Sequence, residues 1–238
     1  MSLSPSPDSL KSFIVATYHR HNESELAPFA RPMIAVSRET GSSGEEICKI
    51  LAEKLGRRLG REKEPWAVFD RNLLQLVLKE MNLSEKVAEF LPEAGSSGID
   101  AFVRELLGVH PSMWTMKEKT NETIDRLARV GNVIIVGRGA HLVTKKYPSA
   151  FAVRIVCPLE ERVRRVTERE QRSNREEVRD ELLREDKEKA EYLKNYFQRN
   201  IDDSHDYDLV LNTGHFTPEK AAGILEKAFL EFANQQNL

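Results

Sequence analysis

Ile34-Ala-Val-Ser-Arg-Glu-Thr-Gly-Ser-Ser-Gly-Glu-Glu-Ile47 runs from a short apolar stretch through a Gly/Ser turn straight into a helical pattern. Residues 33–37 have the length and composition of a buried strand. Ile47, Ile50, Leu51 and Leu55 then recur at the spacing of one helix face. A helix that starts here leaves its first backbone N–H groups without intrahelical partners, and its macrodipole adds partial positive charge at that end. Gly41 and Gly44 let the backbone wrap closely around an anion, and Ser42 and Ser43 add hydroxyl donors. Those are the elements of a phosphate cradle.

The match to the phosphate-loop pattern G-x-x-x-x-G-K-S/T is partial. With Gly44 as the second glycine, Glu39 stands where the first belongs, Glu45 takes the lysine position and Glu46 the hydroxyl position. On this turn alone, a plain strand-to-helix connection capped by Ser and Gly stays open beside the phosphate cradle.

Outward from the turn, short apolar runs alternate with helical stretches. Strands are expected at Met33–Ser37, Trp66–Asp70, Val133–Val136, Phe151–Val156 and Asp208–Asn212. Several of these runs are almost continuously apolar, as parallel strands covered on both faces tend to be. Strands separated by helices imply crossover connections and a doubly wound α/β domain, expected over residues 33–238. A Ser/Pro-rich start and an amphipathic stretch around Leu10, Phe13, Ile14 and Tyr18 set residues 1–32 apart as a segment with a peripheral helix. Residues 80–130, with the breaker cluster Pro92-Glu93-Ala94-Gly95-Ser96-Ser97-Gly98, are expected to form a helical insertion.

Composition limits the partners. The chain has 238 residues, 40% of them hydrophobic and 31% charged, and a net charge of −2. No apolar run approaches the roughly 18 residues a membrane helix needs. The N-terminus also lacks the pattern of an export signal. Cys48 and Cys157 show no paired or metal-ligand spacing, so the expected setting is a reducing cytoplasm. Near-neutrality argues against a nucleic-acid polymer and leaves room for a local anion site. His19, His21, His110, His141, His205 and His215 are scattered and suit structural or surface roles. Trp114, Met113 and Met116 suit a core. Between Glu160 and Glu191 lie ten Lys/Arg and twelve Asp/Glu, a pattern that by itself describes solvated helices laced with ion pairs.

Six further elements follow the opening turn in order: Phe69-Asp-Arg-Asn-Leu-Leu74, Val133-Ile-Ile-Val-Gly-Arg-Gly-Ala140, Glu161-Arg-Val-Arg-Arg165, Glu185-Asp-Lys-Glu-Lys-Ala190, the aromatics Tyr192, Tyr196 and Phe197, and Tyr207-Asp-Leu-Val-Leu-Asn-Thr213. Together they resemble the cytidylate kinase-like family, a divergent branch of the nucleoside monophosphate kinases, from about Pro32 to Ala233. The resemblance implies a three-layer P-loop NTPase-type fold, a five-stranded parallel sheet in the order 2-3-1-4-5, a helical insertion and a charged helical lid at about 170–200. It implies phosphoryl transfer from ATP with Mg2+ to a nucleoside monophosphate such as CMP, a reaction in which the protein chiefly positions groups and neutralises charge.

The same resemblance implies roles. Gly41, Ser42, Ser43 and Gly44 would hold the donor phosphates, with Glu45 and Glu46 next in the loop and Glu46 offered to Mg2+. Arg38 would reach either phosphate, and Arg162 and Arg165 would serve the donor side. Asp70 and Arg71 would lie at the acceptor, although Asp70 equally suits a cap for the following helix. Arg138, set between Gly137 and Gly139 at a strand end, suits a monophosphate. Asp186 and Lys189 stand at the lid's D-x-x-R pattern, lysine replacing the usual arginine, with Arg179 and Arg184 as substitutes upstream. Two departures bear on activity: a carboxylate, Glu45, at the place of the phosphate-binding cation, and G-R-G where ordinary cytidylate kinases have G-R-D. A fold that binds a nucleotide without transferring phosphate is the alternative these departures raise.

Overall fold

The computed structural model describes residues 31–58, 66–70 and 113–236. The helix expected before Pro28, Arg71, the start of the insertion and the cluster at 92–98 lie outside them, as do the side chains of Met113, Trp114 and Met116.

Five strands form one parallel sheet: β1 (Met33–Arg38), β2 (Ala67–Phe69), β3 (Val133–Val136), β4 (Ala150–Val156) and β5 (Leu209–Asn212), in the spatial order β2-β3-β1-β4-β5. β1 is central, pairing Met33 with Val133 on one side and with Ala150 on the other, and all six of its residues are buried. This is the sheet expected from the sequence, with strand ends shifted by a residue or so.

Helices cover both faces, because each central strand alternates two apolar sets. Ile34, Val36, Ile134, Val136, Val153 and Ile155 pack against α1 (Gly44–Arg58), through Ile47, Leu51 and Leu55, and against the last helix, which buries Leu225 and Phe229. Met33, Ala35, Val133, Ile135 and Phe69 face the other way, onto Ile124, Leu127 and Ala128 of α2 (Met113–Val130) and Ala140 of α3 (Ala140–Thr144). Burial of such side chains contributes about 1.5–3 kcal/mol each. The central strands are therefore the stiffest base available for a site.

The charged stretch folds into two helices. α4 (Leu159–Glu170) ends at Gln171 in the left-handed conformation, and α5 (Arg175–Phe197) starts with Asn174 accepting the Glu177 N–H. Val163, Val166, Val178 and Leu182 knit the pair together. Most of the surrounding charges form exposed pairs such as Arg164 with Glu161 and Glu168, each contributing little. α6 (Pro218–Gln235) closes the chain, capped by Thr217 with Pro218 in its first turn.

Candidate active site at the sheet rim

β1 delivers the loop 39–43 to the C-terminal edge of the sheet, where doubly wound folds bind ligands. Gly41 and Ser43 hold positive φ angles of 78° and 65°, which bend the chain so that α1 begins at Gly44. Ile47 N–H bonds back to Ser43 O, leaving the amides of Gly44, Glu45 and Glu46 in the helix's first turn. Ser42 is fully buried and its hydroxyl donates to Glu39 O at 2.7 Å, so it steadies the loop from within. Thr213, directly after β5, holds the same loop, its hydroxyl 3.3 Å from Ser42 O. Gly44 has a second reason to lack a side chain: a Cβ there would lie 2.9 Å from Arg38 Cγ, so the arginine stem lies across the loop.

The loop is tied to the lid through one carboxylate. Asp186 Oδ1 accepts from the Thr40 N–H at 2.7 Å and the Thr40 hydroxyl at 2.9 Å, while Arg162 Nη1 donates to Asp186 Oδ2 at 2.5 Å. Arg162 also donates to Thr40 O and, through Nε, to Cys157 O at 2.9 Å, with Glu39 Oε2 3.6 Å away. Glu39 in turn accepts the Cys157 N–H at 2.7 Å. Lys189 Nζ contacts the Thr40 hydroxyl and lies 3.4 Å from Asp186. Arg162, Asp186 and Lys189 thus come together on the loop. Arg165 is held elsewhere, between Glu161 and the carbonyls of Thr213 and Phe216.

Beyond β3 the backbone takes three successive left-handed residues, Gly137, Arg138 and Gly139, at φ 85°, 56° and 68°. Glycine accepts this freely, but Arg138 does so at a cost of about 1–2 kcal/mol. Strain of this kind tends to be kept where a side chain must point in a particular direction. At Gly139 a Cβ would meet the Phe197 ring of α5 at 2.5 Å. Gly139→Ala is therefore expected to cost about 2 kcal/mol, read as a lower melting temperature in a thermal scan. An unchanged melting temperature would show that the G-R-G turn relaxes without strain.

Ser37, Arg38, Gly137, Arg138, Gly139, His141, Lys189, Tyr192, Leu193 and Ile201 line one crevice of about 20 Å3, room for about one water. Arg38, Arg138 and Lys189 bring three cationic side chains to it. Asp70 is half-buried at the end of β2, and Glu45 is half-buried in the first turn of α1. Burial pushes the Cys48 thiol up to about 12, and Arg38, Glu45 and Asp70 all lie close enough for their charges to bear on it. Glu46 is exposed, and among the described residues no three His, Cys, Asp or Glu side chains cluster as a metal site. Arg184 is exposed and lies beside an acidic depression with Glu176, Glu177, Asp180 and Glu181, away from the crevice. Arg179 pairs with Glu160.

Several site residues carried no motif. Thr40 and Glu39 organise the lid contact, and Arg154, buried within β4, donates to Ser37 Oγ and to Asp202 Oδ1, each at 2.9 Å. An arginine inside the apolar run Ala150–Val156 was the available signal, since a charge is rarely buried there without partners.

A central strand ending in a glycine-bent loop, a helix opened by that loop and a cationic rim beside it define a phosphate-loop kinase fold. The model of the cytidylate kinase-like family matches residues 33–215, and the chain belongs to that family. A cytidylate kinase of Thermococcus kodakarensis is 26% identical over 200 residues, covering 82% of this chain and 86% of that protein. A cytidylate kinase of Methanosarcina barkeri is 27% identical over 197 residues, covering 82% and 94%. The crystal structure of an uncharacterized protein from Eubacterium ventriosum matches in fold with a TM-score of 0.62 at 20% identity, over 84% of this chain and 99% of its own. Among the described residues no helix is long and apolar enough to cross a membrane, and Cys48 and Cys157 are buried free thiols.

Proposed function

We propose that the protein is a nucleoside monophosphate kinase-like phosphotransferase that moves the terminal phosphoryl group of Mg-ATP to CMP or a related small acceptor. The observation that carries this reading is the convergence of Arg38, Arg138 and Lys189 on one crevice beside the loop 40–44. The donor's phosphates would rest on the first-turn amides of α1, where the helix dipole favours an anion. Mg2+ arrives with ATP as part of the substrate, and Glu46 is the carboxylate beside the loop that can hold its hydration shell. Arg138 would grip the acceptor's phosphate, and Arg38, lying between loop and crevice, would neutralise charge on the group in transit. Asp70, with Arg71 beyond it, would serve the acceptor from β2.

The crevice is too small for a nucleotide. Lys189, Tyr192 and Leu193 come from α5, and Ile201 follows it, so an acceptor would enter as α5 lifts. Closure would then bring Lys189 back and exclude water. Asp186 would act here through the geometry of the lid, Arg165 through the segment after β5 that it holds, and Arg184 is the cation that such a movement would have to carry furthest.

Incubating the pure protein with Mg-ATP and each nucleoside monophosphate, and measuring diphosphates, tests this reading; absence of turnover with every acceptor would end it. If the reading holds, Arg138→Lys keeps the charge and loses the two-pronged guanidinium. Its KM for the acceptor is then expected to rise about 10-fold, with kcat changing less. An unchanged KM would remove Arg138 from the acceptor site.

One observation favours a second reading, a nucleotide-binding protein without transfer activity. The Asp186 carboxylate occupies the Thr40 amide of the loop, and Glu45 puts a second negative charge in the first turn of α1. Stabilisation by ATP or CMP without product would select that reading.

A further inference from the structure

We propose that His141 sets the specificity of the acceptor crevice by offering an uncharged imidazole to a neutral hydrogen-bonding group on the acceptor. The inference rests on the reading of that crevice as the acceptor site.

His141 is the second residue of α3, directly behind the G-R-G turn, and only 4% of it is exposed. Its ring stacks on Tyr207, with centroids 4.7 Å apart and planes 27° from parallel. The stack fixes the ring plane, and the side chain lines the same crevice as Arg38, Arg138 and Lys189. Among the described residues its ring nitrogens have no hydrogen-bond partner. Neither nitrogen is among the side-chain atoms sealed from solvent without a partner, so their donor and acceptor capacity is open to whatever occupies the crevice.

The surroundings decide its charge. Burial pushes the imidazole down to about 4, Asp206 works against this, and Arg154 and Lys145 reinforce it. Asp206 is itself compensated by Lys145 at 2.7 Å, and Arg154 by Asp202 at 2.9 Å. At neutral pH the ring is therefore uncharged, with one N–H donor and one bare nitrogen acceptor. Arg138 suits the acceptor's phosphate, with Arg38 and Lys189 beside it, which leaves the neutral ring for a different part of the molecule. It would accept or donate to an amide, amino or hydroxyl group and would disfavour an acceptor presenting an anion there. A site built around such a bond discriminates strongly against molecules that cannot complete it, because its own polar atom is then left unpaired.

Steady-state kinetics of wild type, His141→Phe and His141→Gln with Mg-ATP and a panel of CMP, dCMP, UMP and AMP test the assignment, alongside melting temperatures with and without each monophosphate. Phe keeps the stack on Tyr207 and removes both nitrogens. It is expected to lower kcat/KM for the best acceptor by about 10-fold, through KM, while the poor acceptors change little, so the preference collapses. Gln restores a donor and an acceptor and is expected to recover part of that preference. If His141→Phe keeps the wild-type order and ratios, His141 is a packing residue and the inference is overturned, even where the melting temperature falls. If wild type turns over no monophosphate and is stabilised by none, the acceptor site itself is misassigned and both readings fall together. If it is stabilised without turnover, the same comparison of preference is made on the thermal shifts.

Discussion

Arg162→Ala is expected to lower the melting temperature by about 10 °C. Arg162 is buried, and it is the cation shared by Asp186 and Glu39 at the point where lid meets loop. Its guanidinium also satisfies Thr40 O and Cys157 O. Removing one partner of a buried pair costs about 3–5 kcal/mol, because the remaining charges keep their desolvation penalty without compensation. Asp186 and Glu39 retain about a quarter of their side-chain exposure, 23% and 24%, so water relieves part of that penalty and the expected cost is about 3 kcal/mol. For a domain of this size each kcal/mol shifts the melting temperature by about 2–4 °C. Asp186→Asn leaves Arg162 with its two carbonyls and is expected to cost less. The double variant should therefore be less destabilised than the sum of the two, as residues in one network are. Thermal and urea melts of the three proteins measure this directly. A melting temperature within 2 °C of wild type for Arg162→Ala would mean that loop and lid are held by packing alone.

That network also marks how far the sequence could be read. The sheet was legible because its strands are short apolar runs bounded by helices, and Val133–Val136 folds with the ends its composition implies. The loop was legible because Gly41 and Gly44 sit where a strand gives way to a helix. The partners of the charged residues were not. Arg162 meets Thr40 across 122 positions and Asp186 across 24, and no local periodicity encodes such pairings. A physical clue to the lid did exist in α5, where Asp186, Lys189, Tyr192 and Leu193 follow one helical face. At about 100° per residue, Arg184 falls on the opposite side from Asp186, which is why it is exposed while Lys189 lies over the loop. His141 was masked by the ordinary role of isolated histidines; only the fold brings it behind Arg138 and against Tyr207.

On the proposed reaction, Glu45→Arg is expected to raise kcat/KM for Mg-ATP by about 100-fold and to make the protein less stable. The two effects have separate origins. In the first turn of α1 the carboxylate interacts favourably with the helix dipole, a contribution of about 0.3–1 kcal/mol. Reversing the charge replaces that attraction by repulsion, so a loss of about 1 kcal/mol is expected. Against the donor's phosphates the sign is opposite. One pair of unit charges at about 4 Å and an effective dielectric near 20 interacts by about 4 kcal/mol. Glu45 is half-buried, so solvent screens part of the repulsion. The expected gain for a full reversal of charge is about 3 kcal/mol, or about 100-fold. Glu45→Gln removes repulsion without adding attraction and should fall between wild type and Glu45→Arg on a logarithmic scale. Kinetics varying Mg-ATP at saturating acceptor, with melting temperatures measured on the same samples, distinguish these contributions. A graded rise in activity with falling stability means that the donor's phosphates pass residue 45 as they would in a loop carrying a cation there. A fall in activity for both variants would instead place Glu45 in the working site, and the comparison with the lysine of ordinary phosphate loops would no longer describe this one.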